Sequence, residues 1–282
     1  MTTATRDFGL GIGWRAEIAP LIDCHAGLGF VEIVAESVDP KHPGDALLRL
    51  MDRGVAIIPH GISLSLGGAE YPDPARLERL AKLAERFRSP FVSEHVAFVR
   101  AEGVEAGHLL PVPRDRETLD ILVENVGVAQ KSLPVPIALE NITALFEWPS
   151  PAMTEGAFLR ELLDRTRALL LLDVANVFAA AKNFGHDPLA FFRSLPLDRL
   201  AYVHVGGGEE HDGVYHDTHA HAVPAEVFAL VEDLCAMTHV PGLMLERDDQ
   251  FPEPEDIERE LATLAAAVAA GNARRNGVPH VR

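Results

Sequence analysis

The chain has 282 residues, with 25 Lys+Arg against 42 Asp+Glu and a formal charge of −17. A field of that sign disfavours bulk attraction to nucleic acid or anionic lipid. Two cysteines, Cys24 and Cys235, exclude a disulfide framework and a thiolate-based zinc or iron–sulfur site.

The first 17 residues lack a basic segment followed by an apolar core, so no signal peptide is expected. No apolar run reaches the roughly 18–20 residues that span a bilayer, since the run around 169–181 is interrupted by Asp173 and Asn176. A cytoplasmic protein without nucleic-acid or membrane partners is expected. In chain order, apolar runs at 8–14, 30–34 and 55–60 read as strands, and a helix follows at 74–87. A strand at 91–96 precedes a helix at 116–133, and a strand at 135–141 precedes a helix at 156–167. Strands at 169–175 and 200–205, a helix at 224–238, a strand at 242–247 and a helix at 254–270 complete the series. Continuous apolar runs of this length mark strands buried on both faces. Alternation with helices indicates a parallel sheet, and eight units indicate a closed (β/α)8 TIM-type barrel, α/β in class. One domain over residues 1–282 is expected, with a basic tail that frays from about residue 271. A doubly wound open sheet is disfavoured, because no Gly-x-Gly-x-x-Gly or Gly-Lys-Ser/Thr phosphate loop follows an early strand.

Chemistry in such a barrel sits at the C-terminal ends of the strands. There the third strand carries Pro59-His60, the fourth Ser93-Glu94-His95 and the fifth Glu140-Asn141. The sixth carries Asp173-Val174-Ala175-Asn176, the seventh His204 and the eighth Glu246-Arg247-Asp248. His216-Asp217-Thr218-His219-Ala220-His221 follows the seventh. Singly, each has a structural reading: a hydrogen-bonded histidine, or a helix cap from Asp or Asn. The two cysteines read as buried small residues. Together the polar groups are harder to explain without a ligand. Converging carboxylates repel, and each costs several kcal/mol to desolvate; a bound cation removes both penalties. Imidazole with carboxylate and no thiolate suits iron, manganese or zinc rather than Cu(I). Calcium or magnesium would not use so many histidines, and a closed structural zinc site is a poor fit. About nine candidate donors exceed the four to six positions of one ion, so two or three ions sharing carboxylates are expected.

The ordered set of motifs from Gly11-Ile12-Gly13-Trp14-Arg15 to Glu246-Arg247-Asp248 is specific. It includes Phe30-Val31-Glu32-Ile33, Pro59-His60-Gly61, Ser93-Glu94-His95 and a Leu109-Leu110-Pro111-Val112-Pro113 loop. Leu139-Glu140-Asn141, the Asp173 to Asn176 segment, Val203-His204 and Asp217-Thr218-His219 follow in order. The chain resembles the multinuclear non-heme iron-dependent oxidative enzymes, the family that includes the methanobactin biosynthesis iron enzyme. The resemblance implies a triosephosphate-isomerase-type barrel holding two or three iron ions, mixed Fe(II)/Fe(III), with dioxygen as co-substrate. It implies iron ligation by His60, His95, Glu140, Asp173, Asn176, His204, Asp217, His219 and Glu246, with Glu140 and Glu246 bridging. Glu94, Asn141, His186, His216 and His221 are the neighbours expected to orient bound groups. The implied reaction is oxidation of cysteine residues in a ribosomally made precursor peptide to a heterocycle, thioamide or carbon-excised product. The implied partner is a separate protein that binds the precursor's leader. Competing readings are a divalent-metal isomerase or abasic-site-type endonuclease on the same fold, and a metal-binding scaffold without turnover.

Overall fold

The eight apolar runs become eight strands in the computed structural model, which describes residues 7–277. They are β1 (Gly9–Gly13), β2 (Phe30–Val34), β3 (Ala56–His60), β4 (Val92–His95), β5 (Ile137–Glu140), β6 (Leu169–Asp173), β7 (Leu200–Val205) and β8 (Gly242–Leu245). Among the described residues these eight close a barrel in chain order, all neighbours parallel, with β8 returning to β1 from Gly9↔Gly242 to Ile12↔Leu245.

The outer ring comprises α1 (Ala19–Cys24), α2 (Asp45–Asp52), α3 (Pro74–Phe87), α4 (Arg116–Ser132), α5 (Glu155–Thr166), α6 (Val174–Phe184), α7 (Pro188–Ser194), α8 (Ala225–Met237) and α9 (Pro254–Gly277). The ends of α3 show why it starts and stops there. Asp73 accepts from the N–H groups of Ala75 and Arg76, Pro74 opens the first turn, and Arg88 closes the helix in the left-handed region. Leu77, Leu80, Leu83, Ala84 and Phe87 then recur at helical spacing and are buried against the barrel's outer surface. A separate apolar cluster of Phe8, Phe30, Ile58, Phe91, Ala138, Leu171, Ala201, Tyr202 and Met244 fills the inside. Gly11 is required beside it, because a Cβ there would lie 2.5 Å from the Phe30 ring.

Several features depart from the sequence reading. The sixth strand stops at Asp173, whose side chain accepts from the Asn176 N–H and turns the chain directly into α6. The segment expected as a loop around Leu109–Pro113 belongs largely to a hairpin, Ala97–Ala101 with Val104–Pro111. A second hairpin pairs Glu209–His211 with Val214–His216. Each turns on two residues of positive φ, Glu102-Gly103 and Asp212-Gly213, the conformation that matches strand twist. Cys235 is buried as expected, but Cys24 is exposed, because it follows the buried Ile22 by two positions at the end of α1. No helix among the described residues is long and apolar enough to cross a membrane.

Residues 271–277 were expected to fray and instead continue α9. Arg274 pairs with Glu232 and Asp233 at 3.0 and 2.9 Å, and Arg275 donates to the carbonyls of Cys235 (3.0 Å) and Thr238. The remaining tail lies outside the described residues. Arg275→Ala should therefore lower stability by about 1–2 kcal/mol, since two helix-end carbonyls lose a charged donor. Urea unfolding checks this; a midpoint unchanged from wild type would mean that the final turns of α9 do not hold the fold.

Candidate metal centre

Strand alternation builds the site. From β2 to β8, a polar residue follows two positions after an apolar residue of the inner cluster. Phe30 leads to Glu32, Ile58 to His60, Phe91 to Ser93 and then His95, and Ala138 to Glu140. Leu171 leads to Asp173, Tyr202 to His204, and Met244 to Glu246. Residues two apart on a strand share a face, so an apolar floor is topped by one polar layer. Parallel register aligns its members: His95 faces Glu140 on the next strand, and Asp173 faces His204.

The loop after β7 supplies the rest. Gly206, Gly207 and Gly208 let it fold down onto the mouth, because a Cβ on Gly206 would meet the His219 ring at 2.4 Å. Cβ atoms on Gly207 and Gly208 would meet backbone carbonyls at 2.3 and 2.0 Å. His219 itself sits at φ +50°, a left-handed conformation that the surrounding loop must enforce.

Four sets of donors have atoms within 4.8 Å of one another: His60, His95 and Glu140; Glu140, Asp173 and His204; Asp173, His219 and Glu246; Glu32, His204 and Glu246. Glu140 Oε2 lies 3.5 Å from His60 Nε2 and 3.3 Å from His95 Nε2. Across the site, His204 Nδ1 lies 3.2 Å from Glu140 Oε1 and 3.0 Å from Glu246 Oε2. His219 reaches Glu246 Oε2 at 3.6 Å and Asp173 Oδ2 at 3.7 Å. Asn176 and Asp217 stand beside these sets. Asn176 accepts from Thr143 Oγ1 and donates to the Asn141 carbonyl at 2.9 Å, while Asp217 Oδ2 is 2.9 Å from His219 Nε2.

Two of the five neighbours expected to orient bound groups bond to members of the donor sets. Glu94 accepts from the N–H groups of Ser63 and Leu64 and holds His95 Nδ1 at 3.2 Å, which turns His95 Nε2 toward Glu140. Asn141 clamps the Asp173 backbone through both amide atoms, at 3.0 and 2.9 Å. The other three do not. His186 pairs with Glu147 at 3.4 Å, His221 lies between Thr218 and Glu209 at 3.0 and 3.4 Å, and His216 packs near His211. Among the described residues none of these three rings bonds to a member of the donor sets: His186 lies between α6 and α7, His216 ends the second hairpin and His221 lies in the loop beyond it. The sequence reading gave no site role to Glu32, Ser93 and Tyr202 in the buried layer, or to Arg15, whose guanidinium lies 3.5 Å from Glu246 and pairs with Asp248. The two-residue alternation was the available signal for the first three.

The donor set fits bound cations on its own chemistry. Among the described residues, Glu140 Oε2, Asp173 Oδ2, His204 Nδ1, Asp217 Oδ1 and Glu246 Oε2 are buried atoms without a hydrogen-bond partner. An unsatisfied buried carboxylate oxygen is expensive, and four such oxygens with one imidazole nitrogen at one mouth make a place that fits cations. Protons partly stand in for them. Burial works against a charged His95, yet Glu140 and Glu94 carry it up to about 9. Burial also opposes charge on His204 and His219, and the surrounding carboxylates nonetheless raise both well above the usual imidazole range. Burial and its cationic neighbours His95 and His204 push His60 the other way, well below that range. Glu246 stays well below the carboxylate range despite burial, held by His219, His204 and Arg15.

The fold and site define a closed parallel barrel whose mouth carries candidate metal donors shared between neighbouring sets. The family described as RiPP precursor modification enzyme MbnB/TglH/ChrH matches residues 9–269, and the chain belongs to that family. A UPF0276 protein of Streptomyces avermitilis is 52% identical over 273 residues, covering 94% of this chain and 56% of the relative. This chain thus spans little more than half of that relative's length. A UPF0276 protein of Rhizorhabdus wittichii is 35% identical over 95% of this chain and 96% of its own length. Among solved structures, endonuclease IV from Thermus thermophilus superposes with a TM-score of 0.62 at 18% identity, covering 93% of this chain and 99% of that one. D-psicose 3-epimerase from Clostridium cellulolyticum gives 0.58 at 12% identity, over 95% of this chain and 99% of that one. At such identities the likeness is one of fold.

The raised histidines set a pH dependence. A group whose folded pKa exceeds its unfolded value stabilises fully below the unfolded value, and that contribution is lost as pH rises through the folded one. For His95 the window runs from about 6.5 to about 9. Metal-stripped protein should therefore melt at progressively lower temperature from pH 6.5 to 8.5. Because a cation must displace the same protons, the melting-temperature gain from added Fe(II) should grow over that range. Anaerobic differential scanning fluorimetry reads both; a gain from Fe(II) that shrinks with rising pH would contradict the proton–metal exchange.

Proposed function

We propose that this protein is a multinuclear iron, dioxygen-dependent oxidase that modifies cysteine residues of a ribosomally made precursor peptide. The carrying observation is donor sharing: Glu140, Asp173, His204 and Glu246 each belong to two of the four donor sets. Shared carboxylates are what adjacent ions need, and a single ion would leave most of these buried donors unsatisfied. Family membership supplies the substrate class.

In this reading His60, His95 and Glu140 would hold one ion, and Glu140, Asp173, His204 and Glu246 would hold its neighbour. Asn176, Asp217 and His219 would serve a third position. When bound, the iron ions supply thiolate binding, dioxygen activation and one-electron oxidation at the cysteine. The chain's own residues do the rest. Glu94 and Asn141 keep His95 and Asp173 in place through hydrogen bonds to atoms that face away from the donors. Arg15 offsets charge at Glu246 and Asp248 on the open side.

A cavity of about 660 Å³ opens directly beside Asn141 and Asn176, large enough for several residues of a peptide. Ile142, Met153, Val177 and Phe191 give it apolar wall, while Arg114 and Glu147 give it polar wall. It is the place for the peptide segment flanking the oxidised cysteine, where apolar burial would hold the substrate and orient its thiol. The loop following β5 exposes Leu145, Phe146 and Trp148 near this cavity, and Trp148 Nε1 donates to the Pro111 carbonyl at 2.8 Å. That aromatic rim, with the exposed hairpin strand Val104–Pro111, supports docking of a separate leader-binding protein.

Co-expression with a cysteine-containing precursor and a candidate leader-binding protein should change the peptide mass, and Glu140→Gln should lower bound iron and abolish the change. Mass spectrometry of the peptide and metal analysis of the protein check this. Unchanged peptide mass across authentic precursors would favour a scaffold, and unchanged iron in Glu140→Gln would remove the bridging role.

A further inference from the structure

The atoms of the donor residues that face away from the proposed ions are as ordered as those that face them. Beneath the mouth, His60 Nδ1 lies 2.9 Å from Ser93 Oγ, and Ser93 Oγ lies 2.7 Å from the Tyr202 hydroxyl. Tyr202 donates to Glu32 Oε2, and His204 Nε2 lies 2.8 Å from the same oxygen. Glu32, Ser93 and Tyr202 are fully buried, and His60 and His204 are 3% and 1% exposed.

Hydrogen-bond chemistry gives this chain a direction. A carboxylate only accepts, so Tyr202 O–H and His204 Nε2–H both point at Glu32. The Tyr202 oxygen then accepts from Ser93, which leaves the Ser93 oxygen to accept from His60 Nδ1–H. One carboxylate at the end of the chain therefore decides the protonated nitrogen of two rings that stand on opposite sides of Glu140. In the neutral rings, the form in which imidazole binds a cation, the nitrogens left with lone pairs are His60 Nε2 and His204 Nδ1, the same two that approach Glu140, at 3.5 and 3.2 Å.

Building on the metal reading above, we propose that Glu32 is the positioning residue of the centre. Acting through Tyr202 and Ser93 on one side and directly on the other, it fixes His60 as the Nδ1–H form and His204 with its Nε2 proton, so that both present the correct nitrogen to neighbouring ions. Glu32 is not itself an ion ligand through Oε2, because that oxygen already accepts from Tyr202 and His204. The chain also ties a ring of the first ion's set to a ring of the second's, so both sets are oriented by one group.

Tyr202→Phe is the cleanest probe. The ring stays stacked on Phe91 and edge-on to Phe30, with centroids at 5.4 and 5.8 Å, and only the hydroxyl is lost. Glu32→Gln is the companion variant. Long-range ¹H–¹⁵N NMR of metal-free, ¹⁵N-histidine-labelled wild-type protein should show His60 as a single Nδ1–H tautomer. Both variants should populate the Nε2–H form and lose about 10–100-fold in Fe(II) affinity, with an altered Mössbauer spectrum and, for Tyr202→Phe, a near-wild-type circular dichroism spectrum. A wild-type His60 protonated at Nε2 would overturn the proposal, as would variants that keep the wild-type tautomer and iron spectrum. Wild-type protein that binds no iron yet shows His60 as Nδ1–H would refute the metal reading and leave the positioning role standing.

Discussion

Buried negative charge at the barrel mouth is the constraint on which the rest of the structure depends. Glu32, Glu140, Asp173 and Glu246 lie in one polar layer at 6% exposure or less, and the Asp217 side chain closes over them at 2%. Two unit charges about 4 Å apart interact by about 4 kcal/mol at the effective dielectric of a protein site, so several together are untenable without compensation. Arg15 and protonated imidazoles compensate in part, and they do so at the edges and in the donor layer itself. Among the described residues, Glu32, Glu140, Asp173, Asp217 and Glu246 each keep a buried carboxylate oxygen without a hydrogen-bond partner. Cations are the group that satisfies them. The chain's −17 charge divides accordingly, into a buried cluster in the mouth that cations would neutralise and a solvated outer helix ring.

The fold serves this cluster by repetition. Each inner-facing apolar residue of the strands supports a polar one two positions on, so a rigid hydrophobic floor fixes the height of every donor. Rigid strands suit the task, because a ligand set held on loops would collapse under its own repulsion or relax away from it. The single loop contribution, Asp217 and His219, arrives through three consecutive glycines that remove every Cβ in its path. That loop is also where backbone strain is stored, at His219.

Much of this was legible in the residues. Apolar runs ending in His60, His95, Glu140, Asp173, His204 and Glu246 placed the barrel and its donors together, since a polar residue closing a buried strand has few other destinations. Glu32 escaped because it lies inside its run, followed by Ile33 and Val34, and a carboxylate there reads as an interruption. Ser93 and Tyr202 escaped because they resemble ordinary core residues until the hydrogen-bond chain is traced. His186, His216 and His221 bond elsewhere: His186 lies between α6 and α7 beside Glu147, His216 ends the hairpin turned at Asp212-Gly213, and His221 is held between Thr218 and Glu209. That Asp-Gly turn was itself a readable hairpin signal. Proximity in sequence is a weak guide on loops, whereas register on parallel strands is a strong one.

The central claim is that the mouth exists to hold more than one iron ion through shared carboxylates. Metal analysis combined with Mössbauer spectroscopy of protein purified anaerobically from iron-replete cells tests it most directly. The account predicts at least two irons per chain and a spectrum containing spin-coupled Fe(II) and Fe(III). Folded protein carrying a single zinc or magnesium ion per chain, and no iron, would contradict it.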